Sequence, residues 1–471
     1  MKTFKAKQQS QKRSKPQGGA SQISRIAREL ESRGINKVKL GGFDVDGVLR
    51  GKYVSLDKFL SAAEGGLGFC DVVFGWDLAD ALYDNTRVTG WHTGYPDAHA
   101  TIDLSTMRFI PWEPGVAAFL MDFVQPDGAP FEPSPRQLLH NVAERAESMG
   151  YLPKVGAEFE FFVFKETPES LRQKSFANLT PLSPGMFGYS WVRSSANAEW
   201  VNAVVDGCRD FDIPIEGMHT ETGPGVYECA ILYDDVRRAA DKAALFKTAV
   251  KEMCFKRGLV AAFMAKWNAS LPGCSGHLHM SLVGAKDGKN RFYDAADDHG
   301  MSVTMRHFLG GQVHLMPELT ALYWPTINSY KRSVENTWAP TTATWGIENR
   351  TTAIRVISGG AKATRIEYRQ PGADVNPYLG MAASLAAGLW GVQHEVEPPT
   401  GVTGNGYADK KARPLPRNLG EATKLLKQSK VAREILGDAF VDHYVATREW
   451  EVRQFERAVT TWELERYFEL V

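Results

Sequence analysis

The first regular hydrophobic spacing begins shortly after residue 20. Ile23, Ile26 and Leu30 recur every three to four positions, and Gly34 follows them. Apolar residues at this spacing lie along one face of an α-helix, and a glycine just past the last of them is a common helix end. The pattern predicts a short amphipathic helix at the start of the folded part.

The next segment alternates between apolar and polar positions on both sides of a turn signal. Val38 and Leu40 lead through residues 43–45 to Asp46-Gly47, after which residues 48–54 alternate again. An Asp-Gly pair between two alternating runs is typical of a β-hairpin turn. We therefore predict a hairpin here, and strand-dominated structure up to about residue 125.

A proline-rich stretch separates this region from a longer one. The prolines are Pro126, Pro130, Pro133 and Pro135, and a helical pattern begins directly after them, at residues 138–146. Further strand-like runs cover residues 154–164, 276–283, 353–357 and 364–369, and helical runs cover residues 239–255 and 381–392. This alternation predicts an α+β protein of two domains, residues 21–130 and a larger mixed α/β domain of residues 131–471.

Composition places the chain among ordinary soluble globular proteins. Of its 471 residues, 43% are hydrophobic and 23% are charged, which excludes the disordered, collagen-like and coiled-coil classes. The 55 Lys and Arg residues balance 55 Asp and Glu residues, so the formal net charge is zero. This balance predicts neither a nucleic acid nor an acidic membrane as the main partner.

Three further features bear on the compartment. No window contains 18 consecutive apolar residues, so we predict no membrane-spanning segment. The five cysteines are odd in number, scattered and never arranged as C-x-x-C, and we expect reduced thiols in a cytoplasmic protein. Residues 1–20 are basic without an apolar segment, so we expect a disordered tail, with a transit peptide as the alternative.

Short strand-like segments place reactive side chains two residues apart, on one face of each strand. The segments carry Glu158 and Glu160; His277, His279 and Ser281; Arg365, Glu367 and Arg369; and His219 and Glu221, which a Gly/Pro turn connects to Glu228. If the strands are neighbours, five carboxylates and one imidazole converge, a set suited to Mg²⁺ or Mn²⁺. The alternatives are a solvated face for each pair, and ion pairing within the arginine segment alone.

These motifs resemble, in content and in order along the chain, those of glutamine synthetase and its ligase relatives. The resemblance extends from about residue 37 to the end and includes the segments that carry Arg332, Arg350 and Arg355. It implies a small N-terminal β-grasp domain followed by a larger catalytic α/β domain. It also implies a ring-stacked homo-oligomer, a dodecamer, with active sites between subunits.

The resemblance further implies a role for each motif residue. One divalent ion would be held by Glu160, Glu221 and Glu228, and the other by Glu158, His277 and Glu367. Arg332 and Arg369 would bind glutamate, and Arg350 and Arg355 would bind the transferred phosphate. ATP would be contacted by His279, Ser281 and Arg355. Asp77 is expected to reach a neighbouring subunit's amine site, and Tyr189 is the implied amine-site tyrosine. Fixed arginines and metal ions suit acyl phosphate formation, which spreads negative charge over the phosphoryl group.

One loop departs from glutamine synthetase. In that enzyme the loop after the Arg332 motif has a glutamate before an Ala-Pro pair, which closes over the ammonium site; here Trp338 stands at that position. An opposite charge near 4 Å is worth on the order of 4 kcal/mol at an effective dielectric of 20. About five buried carbons, at roughly 0.8 kcal/mol each, would offset that loss. The sequence therefore predicts an amine with an alkyl or aryl group, unless Glu335 takes over through a loop shift.

The leading hypothesis is an ATP-dependent ligase that joins the γ-carboxyl group of L-glutamate to a primary amine through γ-glutamyl phosphate, forming a γ-glutamylamide. Mg²⁺ or Mn²⁺, two or more ions per site, would be the cofactor, with ATP as co-substrate. One alternative is a glutamine synthetase that uses ammonia, which Trp338 disfavours. The other is a non-catalytic structural or regulatory relative, which the complete set of six metal-ligand residues disfavours.

Overall fold

The computed structural model describes residues 18–125 and 127–471. Most of the predicted tail, residues 1–20, lies outside the described residues, and helix α1 (Gly18–Ser32) covers the last three of them. The predicted amphipathic helix is confirmed: Ile26 and Leu30 are buried, and Gly34 has a positive φ of 68° just past the helix end. Within the described ranges, no helix combines the length and hydropathy that a membrane span requires.

Five strands form the first sheet, in the order β2-β1-β5-β4-β3. They are β1 (Lys37–Phe43), β2 (Leu49–Ser55), β3 (Leu67–Cys70), β4 (Asp97–Phe109) and β5 (Val116–Val124). Strands β1 and β5 are parallel, and the other neighbours are antiparallel. The hairpin prediction is confirmed, because Phe43 pairs with Leu49 across a turn in which Gly47 has a φ of 78°. Helix α2 (Leu56–Gly65), which the strand pattern does not predict, follows the hairpin.

Eight strands form the second sheet. They are β6 (Tyr151–Phe164), β7 (Ile215–Thr220), β8 (Val226–Asp235), β9 (Val260–Ala262), β10 (Gly276–Gly284), β11 (Trp345–Ile347), β12 (Ile354–Ile357) and β13 (Arg365–Tyr368). The order is β11-β12-β13-β10-β6-β8-β7, and β9 also pairs with β6. All pairs except β11 and β12 are antiparallel. All four strand-like runs predicted after the proline-rich stretch are confirmed.

Twelve further helices follow the first sheet in the described part of the chain. They are α3 (Pro135–Ser148), α4 (Pro168–Gln173), α5 (Trp191–Ala196), α6 (Ala198–Asp210), α7 (Val236–Phe255), α8 (Val303–Tyr323), α9 (Gly360–Ala363), α10 (Pro377–Gln393), α11 (Leu419–Gln428), α12 (Lys430–Leu436), α13 (Asp438–Arg457) and α14 (Thr461–Tyr467). The helical predictions that correspond to α3, α7 and α10 are confirmed. Helix α8 is not predicted from the hydrophobic pattern, because it is buried over most of its surface and therefore lacks a wide polar stripe.

Helices α8 and α10 pack closely through glycines. A Cβ atom at Gly311 would lie 2.2 Å from the carbonyl oxygen of Ala387, and one at Gly391 would lie 2.2 Å from that of His307. Only glycine permits the two backbones to approach so closely. The packed pair of helices forms part of the apolar core beside the second sheet.

Two buried arginines connect the first sheet to the rest of the chain. Arg136 on α3 contacts Asp103 and Asp122 of the first sheet at 2.7 and 2.6 Å, and Asp241 of α7 at 2.9 Å. Arg448 on α13 contacts Asp46 of the hairpin turn at 2.6 Å. Removing one partner from such a buried ionic group leaves an uncompensated charge, so these contacts hold the two parts in one arrangement.

Candidate active site

The strand order places the sequence motifs in one row across the second sheet. On β6, Glu158 lies opposite His277 and Glu160 lies opposite Glu228. On β13, Glu367 lies opposite His279 of β10. Directly opposed side chains lie within contact distance on the same face of a sheet. The predicted convergence of the strands is therefore a feature of the structure.

The first group of the row surrounds Glu158 and Glu367. The Nδ1 atom of His277 lies 3.7 Å from a carboxylate oxygen of Glu158 and 3.4 Å from one of Glu367, and His279 Nε2 lies 3.2 Å from Glu158. Burial raises the pKa of both carboxyl groups, but the imidazoles outweigh it, holding the pKa of Glu158 well below its usual range and that of Glu367 at about 2. Arg369 adds to the effect on Glu367. Both carboxylates are therefore ionised and available as ligands.

The second group surrounds Glu228. His219 Nε2 lies 3.2 Å from a carboxylate oxygen of Glu228, and its Nδ1 lies 3.7 Å from one of Glu221. Glu160 accepts a 2.6 Å hydrogen bond from the backbone N–H of Ser275. Burial and the facing charge of Glu228 raise the pKa of Glu160. Two directly opposed carboxylates are a poor arrangement for a protein alone and a good one around a metal ion.

The donor atoms of the row fit divalent ions. Glu158, His279 and Glu367 each offer one ligand atom within a span of 4.8 Å, and so do His219, Glu221 and Glu228. The Nε2 atom of His277 has no hydrogen-bond partner among the residues that the structure describes. Carboxylate oxygens with a minority of imidazole nitrogens suit Mg²⁺ or Mn²⁺. The row thus adds two imidazoles, those of His219 and His279, to the sets inferred from the sequence.

Three arginines border the row in different ways. Arg355 donates a 3.0 Å hydrogen bond to Glu367, and Arg369 is paired with the same carboxylate. Arg332 is buried and donates to the backbone carbonyls of Gln370 and Arg369 at 3.1 and 3.5 Å, without a salt bridge to any described residue. Burial lowers the pKa of Arg332, although Glu160 opposes that shift. A buried guanidinium without a carboxylate partner is a candidate receptor for an anionic substrate.

The remaining nucleotide residues lie at the edges of the row. Ser281 follows His279 on the same face of β10, opposite Lys154. His279 accepts a 3.1 Å hydrogen bond at Nδ1 from Arg365 Nε, so the ion pairing considered within the arginine segment involves only Arg369 and Glu367. Arg350 is exposed on the turn before β12.

The two candidate amine-site residues lie on loops. Tyr189 has a φ of 55° and stacks on His219, with ring centroids 4.2 Å apart and an interplanar angle of 21°. Burial and the charges of Glu221 and Glu228 raise the pKa of Tyr189. Trp338 has a φ of 61° and is 63% exposed. Both side chains are exposed, Tyr189 by 71%, and the two differ in that Tyr189 stacks on a residue of the second group of the row.

Contacts at both ends hold the loop of residues 333–340. Ser333 donates a 2.7 Å hydrogen bond to the carbonyl of Pro340, and Tyr407 donates a 2.9 Å hydrogen bond to the carbonyl of Ala339. Glu335, considered above as a substitute for the missing acidic residue, lies 3.9 Å from Lys410 in an exposed pair. Tyr407 is a residue that sequence reasoning missed, because a contact 68 positions away leaves no local signal. The sequence places His219 in the same segment as Glu221, but the resemblance assigns it no role as a ligand.

Asp77 lies apart from the row. One oxygen of its carboxylate accepts hydrogen bonds from the backbone N–H groups of Ala79 and Ala81 at 2.8 and 2.9 Å. The other accepts a 2.9 Å hydrogen bond from Trp450 on α13. A single chain therefore does not bring Asp77 together with the other predicted site residues.

Comparison with known proteins agrees with the resemblance. The family model for the glutamine synthetase catalytic domain matches residues 132–467. The chain is 51% identical over 438 residues to "Type-1 glutamine synthetase 2" of Dictyostelium discoideum, covering 92% of this chain and 84% of that protein. It is 39% identical to "Glutamate--isopropylamine ligase" of a Pseudomonas species, covering 96% and 98%. The solved structure of a GmaS/ADP complex superposes with a TM-score of 0.82 at 28% identity, covering 94% of this chain and 99% of that one.

Proposed function

Because this chain belongs to the glutamine synthetase family, we propose that it is an ATP-dependent ligase that joins the γ-carboxyl group of L-glutamate to an alkyl- or arylamine. The product is a γ-glutamylamide, formed through γ-glutamyl phosphate with release of ADP and phosphate. The observation that carries the amine assignment is Trp338, an exposed indole at the position where glutamine synthetase has an acidic residue. The relationship to a glutamate–isopropylamine ligase over nearly the full chain supports it.

The metal assignment rests on the charge of the row. Glu160, Glu221 and Glu228 would hold one ion, and Glu158, His277 and Glu367 the other, with His219 and His279 as neighbours of each set. Bound Mg²⁺ or Mn²⁺ would supply positive charge that neutralises the transferring phosphoryl group. Without it, the negative charges of the facing Glu160 and Glu228 would repel the anionic substrates.

Fixed cations of the chain orient the substrates. Arg332 has no salt-bridge partner within the described part of the chain and would bind a glutamate carboxylate together with Arg369. Arg350 and Arg355 would stabilise charge on the phosphoryl group, and His279 and Ser281 would contact ATP, with Arg355 beside them. These roles are inferred from the resemblance to the family's motifs, and the residues lie on adjacent strands or on the turns that connect them.

The amine would lie between Tyr189 and Trp338. The stack on His219 holds Tyr189 beside Glu221 and Glu228, and the loop held by Tyr407 presents Trp338 to an apolar substituent. Each methylene buried against the indole contributes roughly 0.8 kcal/mol. Asp77 would act on a neighbouring subunit of a dodecamer whose active sites lie between subunits. This role accords with the hydrogen bonds of its side chain in its own chain, none of which is to a residue of the row.

Two further assignments belong to the same proposal. A division at residues 130/131 into an N-terminal β-grasp domain and a catalytic domain is supported by a separate apolar cluster whose members run from Ile26 to Phe131. A cytoplasmic location is supported by the five cysteines, all of which are free thiols.

A glutamine synthetase activity with ammonia is the second candidate, because the relative that is 51% identical is named a glutamine synthetase. Phosphate release distinguishes the two. Purified protein with L-glutamate, ATP and Mg²⁺ should release phosphate faster with isopropylamine, aniline or a polyamine than with ammonium. The control is each reaction without L-glutamate. Ammonium activity above that of every carbon-bearing amine would favour the second candidate.

A further inference from the structure

A cavity of about 220 Å³ lies between the first sheet and helix α7, away from every residue assigned above. Strands β1, β2, β4 and β5 form one wall, and α7 forms the other. Its apolar lining includes Leu40, Ile110, Leu120 and Leu245, all buried. Clefts at the joint between two structural units, mostly apolar with a few polar groups, are where small ligands preferentially bind.

The cavity and the carboxylate row lie on opposite faces of the second sheet. Phe246 of α7 packs on Phe159 and Phe161 of β6, with ring centroids 6.2 and 6.0 Å apart. These two side chains alternate with Glu158 and Glu160, so they point to the other face of the strand. A molecule in the cavity would therefore rest against the helix behind the row and would not occupy the substrate site.

The charge in the cavity wall is unbalanced toward positive. Arg108 is 6% exposed; it donates to the carbonyl of Thr106 at 2.8 Å and lies 3.4 Å from the exposed Asp212. Its Nε has no hydrogen-bond partner among the described residues, and burial lowers its pKa, although the charges of Asp241 and Asp212 oppose that shift. A buried guanidinium with one N–H left unpaired is costly. An anionic group in the cavity would reduce that cost.

The other polar groups of the lining leave this imbalance in place. Lys39 and Glu252 are engaged, since Lys39 contacts Glu113 at 2.6 Å and Glu252 accepts a 2.7 Å hydrogen bond from Trp112. Lys52 is exposed to solvent; it donates to the carbonyl of Gly68 at 3.3 Å and lies 4.9 Å from the centroid of the Phe69 ring. The lining therefore adds no free carboxylate that would pair with Arg108.

The size of the cavity limits the ligand. An apolar protein cavity of about 150 Å³ holds one benzene ring. The larger volume here therefore accommodates a ring or a branched chain with a short polar extension. We propose that this cavity is a binding site for a small organic acid, a monocarboxylate whose apolar body has about the size of one aromatic ring, with Arg108 as the receptor for its carboxylate.

Calorimetric titration of the full-length assembled protein with phenylacetate tests the site. Saturating L-glutamate and ADP keep the substrate site occupied during the titration. We expect saturable binding of one phenylacetate per chain, and at least tenfold weaker binding of phenylacetamide, which has nearly the same shape without the charge. Equal affinity for the two compounds, or no saturable binding of the acid at millimolar concentration, would overturn the proposal.

Substitutions at Thr248, which lines the cavity on α7, locate the binding. Thr248→Phe fills the cavity and should weaken phenylacetate binding at least tenfold, whereas the near-isosteric Thr248→Val should retain it. Both variants should keep the amine-dependent release of phosphate, because Thr248 lies outside the substrate site. Arg108→Gln should remove the preference for the acid over the amide. If Arg108→Gln does not fold, the Thr248 pair decides, and unchanged binding in Thr248→Phe contradicts the proposed location.

Discussion

The carboxylate row and the loop of residues 333–340 are built in opposite ways. Glu367 and His277 are 2% and 6% exposed, on strands that hydrogen bonds on both sides hold in register. Trp338 is 63% exposed, on a loop whose neighbouring backbone is held by a hydrogen bond from Tyr407. A change in the row disturbs paired charges on several strands, whereas a change in the loop disturbs few contacts. In the proposed function, the sheet would determine the reaction and the loop would select the amine.

The largest effect is expected from removing a ligand of the row. His277→Ala or Glu160→Gln should lower phosphate release on the order of a thousandfold, because several kcal/mol of charge stabilisation are lost and each 1.36 kcal/mol is a factor of ten. His314→Ala, which changes an exposed histidine stacked on Trp390, is the matched control. Circular dichroism should show that all three variants are folded. Near-wild-type rates in either row variant would remove the metal assignment.

The next effect is on glutamate binding. Arg369→Ala should raise the KM for L-glutamate roughly 10- to 100-fold, since a hydrogen bond to a charged group contributes about 1.5–3 kcal/mol. Steady-state kinetics with varied glutamate checks this. Arg291→Ala, which removes an exposed arginine paired with Asp287, should leave KM unchanged. A lower kcat with an unchanged KM would mean that Arg369 serves only as a partner of Glu367.

Amine selection should respond to the loop alone. Trp338→Glu should raise the ratio of ammonium to isopropylamine activity about tenfold, because a carboxylate attracts a small cation while the alkyl group loses its apolar contact. Solvent screening at this exposed position keeps the change below the full value of a buried charge. Trp338→Phe is the control and should keep the ratio close to that of the wild type. A ratio that is constant or falls in Trp338→Glu would exclude Trp338 from the amine site.

The smallest effect is expected from removing a contact that holds the loop of residues 333–340. Tyr407→Phe removes one hydrogen bond to the carbonyl of Ala339, worth about 1 kcal/mol, and should raise the amine KM roughly fivefold. The glutamate KM should stay the same, because neither Arg332 nor Arg369 forms a hydrogen bond with the Tyr407 side chain. Tyr467→Phe, at an exposed position on α14, is the matched control. An equal rise in both KM values would instead indicate a general disturbance of the site.

Local patterns predicted much of the fold and most of the candidate site. The hairpin at Asp46-Gly47 and the strands that carry Glu158, His277 and Glu367 are confirmed, because turn chemistry and a period of two are local properties. Helix α8 could not be predicted in the same way, since a helix that is buried over most of its surface has no wide polar stripe to mark its period.

The sequence by itself determined which residues share a strand face, and so which carboxylates and imidazoles could act together. Only the tertiary structure decided that β6 lies between β8 and β10, which brings Glu160 opposite Glu228 and Glu158 opposite His277. It also decided that Tyr407 holds the carbonyl of Ala339 and that Arg108 borders a cavity against α7. The physical reason is range: side-chain alternation follows from the local backbone, whereas strand neighbours and loop contacts depend on how distant segments bury their apolar faces together.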